Sequence, residues 1–444
     1  MAEDAVNTLS ACEAAAAIRA GRLSAQALVE ACLERIAARE PVVGAWSHLD
    51  ADQALGAARA ADAWQAAGRD MGPLHGVPVA VKDIIDTADM PTEYGFPAAF
   101  AGHRPSRDAA CVDALRKSGA IVIGKTVTSP LAGPGAIKTR NPRDTARTPG
   151  TSSAGSAAAV ADHMVPLGIG TQTAGSVIRP ASFCGVVGLK PTFGYLSRRG
   201  ALLQSHTLDT IGVLARNVVD AALLSDVLAA YDPHDPACHP GARSSLARAA
   251  AEELPGAPRF VFYPSPFWAS AGAPTRDAFA GLIAALGASC ATVDSAALDQ
   301  ALGDQQAVWA AEDAAHYGGL YDAHGADMSE ILRDTIARGR AMGADVYIRA
   351  LVRREAAYGE LKRLLADGAI LLTLASEGPA PLATAPFTPN VNGIWTFLGA
   401  PAVTLPLLDV DGLPVGVQLV AGRLADGRLL QVARWLEARF GKSA

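Results

Sequence analysis

Apolar positions change their period several times along this chain, and each change marks an element. After Ser24, a residue type suited to cap a helix, Leu28, Cys32 and Ile36 recur at helical spacing and predict a helix to about Ala38. Val77, Val79 and Val81 alternate instead, as in a strand, and the apolar run ends on Lys82. A helical pattern returns from about Asp108 to Lys117, and a turn at Gly119 feeds the strand AIVIGK. The Ala-rich stretch after Gly155 reads as a helix and Val165 to Gly170 as a strand, with Ser176 on the loop beyond it. Helices and strands alternate, so the chain reads as α/β.

From Tyr231 to Pro266 the pattern is broken by Pro233, Pro236, Pro240, Pro255, Pro258, Pro264 and Pro266, which reads as a connection between two halves of a core. The region that follows carries Trp309, His316, Tyr317, Tyr321, Met328 and Met342 on helices. These side chains form either a mobile wall over a site or the ordinary packing face of those helices. No internal repeat is visible.

Composition narrows the class. With 50% hydrophobic and 18% charged residues over 444 positions, the chain can bury a large core and carries no mark of disorder. A formal charge of −6 and the lack of a long Lys/Arg block argue against a nucleic-acid surface, and the pairs Arg198 with Arg199 and Arg353 with Arg354 read as solvated faces. The first residues, MAEDAVNTLSACEAAAA, have neither the basic start nor the apolar core of a secretory leader, and no apolar run is long enough to span a membrane. Six scattered cysteines show no disulfide or metal spacing, which suits a reducing cytoplasm.

Chemistry concentrates between Thr148 and Thr192, where two Gly/Ser loops surround Ser152 and Ser176. Small residues let a backbone approach a bound group with its N–H donors pointing inward, as an oxyanion requires. A phosphate cradle is the competing reading. Gly150 and Gly155 have the right spacing for one, but Ser156 stands where the phosphate-binding lysine belongs. No G-x-S-x-G elbow, S-x-x-K, H-E-x-x-H or C-x-x-C occurs either. A serine nucleophile needs a base, and the strand-end Lys82 is the candidate, unless it simply pairs with Asp83 or another carboxylate.

The segments LHGVPVAVKD, TPGTSSAGSAAAVA and GTQTAGSVIRPASFCGVVGLKPT, in this order and at this separation, closely resemble the amidase signature family of serine hydrolases. NPRDTARTPG, LDTIGVLARNVVDAALL and GLPVGVQLV match as well, so the likeness covers most of the chain and is weak only from about Tyr231 to Leu371. It implies an α/β fold with a large mixed central β-sheet covered by helices on both faces. It also implies one domain over 1–444, with a catalytic core at about 70–225, the Pro-rich connection at 231–266, a variable helical region at 267–370 and the rest of the core at 371–444.

Carried over residue by residue, the resemblance makes Ser176 the nucleophile, Ser152 the bridging serine after a cis peptide from Thr151, and Lys82 the base. The backbone N–H groups of Thr173, Ala174, Gly175 and Ser176 form the oxyanion hole. An ordinary lysine, at about 10.4, is protonated at neutral pH, but burial disfavours its charged form. Neutral Lys82 can then draw the proton of Ser176 through Ser152, so none of the nine histidines is required. Thr151, Gln172, Arg179, Trp395 and Phe397 are assigned to substrate contact. Arg179 matches an arginine that binds a substrate carboxylate in some members, with a structural ion pair as its alternative, and the two aromatics have core burial as theirs.

Several positions depart from the family pattern: Thr151 replaces glycine, Gln172 aspartate, Ala174 glycine and Pro130 a glutamate. The reading is an amidohydrolase acting through a Ser176 acyl-enzyme on a small, uncharged or aromatic amide, with carbamates and esters as further substrates. It needs no cofactor or metal and no nucleic-acid or membrane partner, and its oligomeric state is open between monomer and homodimer. The alternative is the glutaminase subunit of a tRNA-dependent amidotransferase complex. A catalytically silent scaffold would not keep Lys82, Ser152 and Ser176 together.

Overall fold

A computed structural model describes residues 6–241, 243–385 and 391–441. The described residues build one eleven-stranded mixed sheet flanked by helices. In chain order its strands are β1 (Trp46–Leu49), β2 (Pro78–Lys82), β3 (Ile121–Thr126), β4 (Leu167–Gln172), β5 (Val187–Lys190) and β6 (Thr210–Ala215). They continue with β7 (Phe260–Phe262), β8 (Cys290–Thr292), β9 (Ile370–Leu374), β10 (Ala402–Val410) and β11 (Leu413–Val420). The spatial order is β1-β3-β2-β4-β6-β5-β10-β11-β9-β7-β8. β2 runs parallel to both β3 and β4, while β4 to β6 and β10 to β11 are antiparallel.

Burial explains why the central strands read as continuous apolar runs. Every residue of β2, β3, β4 and β6 is buried, as expected for strands covered on both faces. The Ser24 side chain accepts from Ala27 N–H as predicted, but its helix runs on to Val43 and takes Pro41 into the last turn. Gly44 closes that extension in a left-handed conformation, its N–H donating to Glu40 O at 2.9 Å, and the Val43 carbonyl accepts from Arg140 N–H at 2.7 Å. The Glu40 carboxylate accepts from the N–H groups of Ala45 and Trp46 just beyond, at 2.8 and 3.0 Å. β4 begins and ends two residues later than the sequence pattern indicates. No helix among the described residues is long and apolar enough to cross a membrane.

Two expectations need correction. The Pro-rich connection is not only a connection, because its Phe260–Phe262 segment pairs in parallel with β9 and β8 inside the sheet. Three residues are too few for a periodicity to show. One arginine of each pair is not on a solvated face: Arg198 is buried and bidentate on Asp235, and Arg354 lies over the rings of Phe193 and Phe397, whereas Arg353 is exposed as expected. The groups that hold these cations are distant in sequence.

The helix Ala154–Ala161 is buried along its whole length, and only its small side chains permit that approach to β2 and β4. Gly155 is its tightest point. A Cβ there would lie 2.5 Å from the Ala45 carbonyl oxygen and 2.6 Å from Val127 N, both backbone atoms. Gly155→Ala is therefore expected to lower unfolding free energy by about 1–3 kcal/mol despite alanine's better helix propensity. Urea denaturation checks this, with a lowered midpoint as the expected result.

Candidate active site

The parallel strands β2, β3 and β4 all end at the same edge of the sheet, and crevices beyond such carboxyl ends are where α/β sheets place ligands. Lys82 is the last residue of β2 and fully buried, so its ammonium is delivered into protein rather than water. Its Nζ donates to Ser152 Oγ at 2.6 Å and to Thr171 Oγ1 at 2.8 Å. Neither partner is charged. Burial therefore lowers Lys82 to about 7, with the negative charge of Asp209 opposing the shift.

Ser152 precedes the helix Ala154–Ala161, and the peptide bond joining it to Thr151 is cis. Next to it, Ser153 Oγ is bonded to both the N–H and the carbonyl oxygen of Thr171, each at 3.2 Å. The Ser153 N–H donates to Ser176 O at 3.2 Å, so the two serine loops run side by side. Ser152 is buried, whereas Ser176 is partly exposed. One hydroxyl faces the lysine and the other can meet an incoming molecule.

The loop from Thr173 to Ser176 is held from behind through its carbonyls. Thr173 O accepts from Gln305 Nε2 at 3.4 Å, Ala174 O from Thr396 Oγ1 at 2.7 Å and Gly175 O from Arg179 N–H at 2.9 Å. In a trans peptide the N–H points opposite to the carbonyl of the preceding residue. The amides of Ala174, Gly175 and Ser176 are therefore directed away from those anchors as a fixed row of donors.

Arg179 is buried, and its Nη2 donates to Thr151 Oγ1 at 2.8 Å. Burial lowers the Arg179 guanidinium to about 10, against the pull of Glu377. Arg179 and Thr151 share the lining of a cavity of about 430 Å³ with Gly150, Phe183, Ile331 and Leu382. The structure thus brings these two sequence-assigned residues together. The other three assignments to substrate contact are corrected. Gln172 turns into the protein, where its side chain accepts from Val177 and Ile178 N–H at 2.9 and 3.0 Å and donates to Thr396 at 3.0 Å. Trp395 and Phe397 lie in the core, Trp395 edge-on to Tyr263.

Sequence reasoning passed over Thr171 and Asp209. Thr171 sits at the end of a strand whose pattern gave it no distinction. Asp209 lies within the matched segment LDTIGVLARNVVDAALL, yet its importance depends on a fold-back that brings its Oδ1 within 2.5 Å of Thr173 Oγ1.

A family model described as Amidase matches residues 27–430 of the chain. A glutamyl-tRNA(Gln) amidotransferase subunit from Chloroflexus aurantiacus is 35% identical over 471 aligned positions, taking in 96% of this chain and 95% of that relative. A solved structure described as a vestigial protein complex revealing the evolutionary origins of an s-triazine catabolic enzyme superposes with a TM-score of 0.91 at 29% identity, covering 97% of this chain and 98% of the other. The peptide amidase from Stenotrophomonas maltophilia superposes with a TM-score of 0.87 at 30% identity, over 98% of both chains.

Proposed function

The chain belongs to the amidase family and is an amide-hydrolysing enzyme, and from that premise we propose that it works through an acyl-enzyme on Ser176 with Lys82 as base and Ser152 as bridge. The observation that carries this reading is the 2.6 Å bond from a fully buried Lys82 to Ser152, beside a second bond to the uncharged Thr171 hydroxyl. Ser176 Oγ attacks the amide carbon while its proton moves to Ser152 and that of Ser152 to neutral Lys82. Amides of the Thr173–Ser176 loop stabilise the oxyanion. The returning proton protonates the departing nitrogen, and water then releases the acid by the same relay.

The substrate has two readings. Phe183, Ile331 and Leu382 in the cavity beside Thr151, which Arg140, Arg179 and Glu330 also line, support a small uncharged or aromatic acyl group, in an enzyme that acts alone and also takes carbamates and esters. The near full-length likeness to the Chloroflexus amidotransferase component supports the other reading, a glutaminase subunit that works within a complex, and of the two it has the stronger backing from sequence similarity. The experiment is a screen of the purified chain with glutamine, primary amides, anilides, carbamates and esters. Turnover of an apolar amide by the isolated chain carries the first reading. Glutamine hydrolysis that appears only when the other components of an amidotransferase are added carries the second.

A further inference from the structure

The loop from Gln204 to Asp209 stands directly behind the oxyanion segment. From the far side it is pinned by Glu312 on the helix Ala296–His324, whose carboxylate accepts from Thr207 N–H at 3.1 Å, Thr207 Oγ1 at 2.9 Å and Tyr347 OH at 2.7 Å, and from the Ser205 hydroxyl. From the near side it closes on itself. Asp209 N–H donates to Ser205 O at 3.1 Å, and Asp209 Oδ2 accepts from Gln204 and Ser205 N–H at 2.6 and 3.1 Å. The remaining oxygen, Oδ1, takes the Thr173 hydroxyl at 2.5 Å. One buried carboxylate thereby joins the pinned loop to the first residue of the oxyanion segment.

We infer that Asp209 is a positioning residue of this site, holding the Thr173–Ser176 loop in place through Thr173 and supplying the fixed negative charge that steadies Lys82 once it has taken the proton. The inference rests on Lys82 being the base for Ser176. Its logic parallels the aspartate of a Ser-His-Asp triad, which stabilises the cationic base without itself taking the proton. The charged and titratable groups that face Asp209 are Lys82 from β2, Arg198 ahead of the loop, and Asp313 and Tyr317 on the long helix. Burial raises Asp209 to about 6, while the hydrogen bonds it accepts from Thr173, Ser205 and Gln204 favour its ionised form. Burial and the charge of Asp209 push the neighbouring Asp313 well up, which keeps Asp313 neutral and leaves Asp209 as the anion of the two.

Asp209→Asn and Thr173→Val separate the two roles. Asparagine can still accept from the Gln204 and Ser205 amides and donate to the Thr173 hydroxyl, so it removes charge and spares geometry. Valine at 173 removes the tie and spares the charge. The readout is the rate constant for inactivation by phenylmethylsulfonyl fluoride from pH 5 to 10, with the modified residue located by mass spectrometry. In that reaction Ser176 Oγ forms the S–O bond, fluoride leaves, and the hydroxyl proton passes through Ser152 to Lys82. The pH at which the rate reaches half its plateau does not depend on the fraction of folded protein.

Removing a negative charge makes protonated Lys82 less favourable, so in Asp209→Asn the acid limb is expected to move to lower pH by about one unit. In Thr173→Val the plateau is expected to fall about tenfold with the limb unmoved. A label on Ser176 together with an Asp209→Asn limb at the wild-type position would overturn the role of Asp209 alone. A label elsewhere, or a Lys82→Ala protein that reacts at the wild-type rate, would overturn the underlying reading of the site instead.

Discussion

Ser176→Ala is expected to lose at least about 10³-fold in turnover of any amide the wild type accepts. It removes the proposed nucleophile itself, and the neighbouring Ser152 hydroxyl is not placed to take over. Ser152 is buried against Lys82, whereas Ser176 is partly exposed on the loop beyond β4. The variant keeps the backbone donors from Thr173 to Ser176, so residual activity from oxyanion stabilisation and binding should remain measurable above the uncatalysed rate. A sulfonyl fluoride or organophosphonate should add one equivalent to the wild type and none to Ser176→Ala, read by intact mass. Labelling that persists unchanged in the variant would exclude Ser176 as nucleophile.

Much of the site was legible because its parts lie on local patterns. The alternating Val77, Val79 and Val81 set a strand that ends on Lys82, and the two small-residue loops had to come close to something. The helix Ala154–Ala161 and the loop carrying Ser176 follow from the same patterns. Mixed α/β class was legible for the same reason. Strand order was not, since β7 and β8 are three residues each, and β7 lies within the proline-punctuated segment while β8 follows the helix Ala273–Leu286.

What sequence could not give was direction. Gln172 stands at a position that invites a substrate contact, but its carbonyl is consumed by the amides of Val177 and Ile178. Trp395 and Phe397 belong to a short helix whose residues are all buried, and aromatic residues in a core look the same in sequence as those in a pocket wall. Asp209 shows the converse. Its bonds to Gln204 and Ser205 are local, but the one to Thr173 spans 36 residues, and it is the pairing of Gln172 with Thr210 between β4 and β6 that sets the two side by side. Arg198 and Arg354 look solvated in sequence because Asp235 and the rings of Phe193 and Phe397 are remote along the chain.

Lys82 is the more demanding test, because it distinguishes this relay from every histidine-based alternative. With the ammonium lowered to about 7 by burial, kcat/KM is expected to rise with pH through that value and then level off, since only neutral Lys82 accepts a proton. Lys82→Met is expected to lose about 10²- to 10⁴-fold, the usual range for a general base. A urea melt of Lys82→Met beside the wild type separates lost chemistry from lost folding, because methionine leaves the hydroxyls of Ser152 and Thr171 without the donor they have in the wild type. Lys82→Arg is expected to fail equally. Guanidinium keeps its proton at any workable pH, and it must fit where Nζ meets Ser152 and Thr171 at 2.6 and 2.8 Å. Ser152→Ala should be harmed less than either Lys82 variant or Ser176→Ala, because a water molecule can stand in for a bridging hydroxyl but not for a base or a nucleophile. A pH-rate profile of the wild type beside rates for these variants decides the matter, and a Lys82→Arg enzyme of near wild-type activity would remove Lys82 from the mechanism.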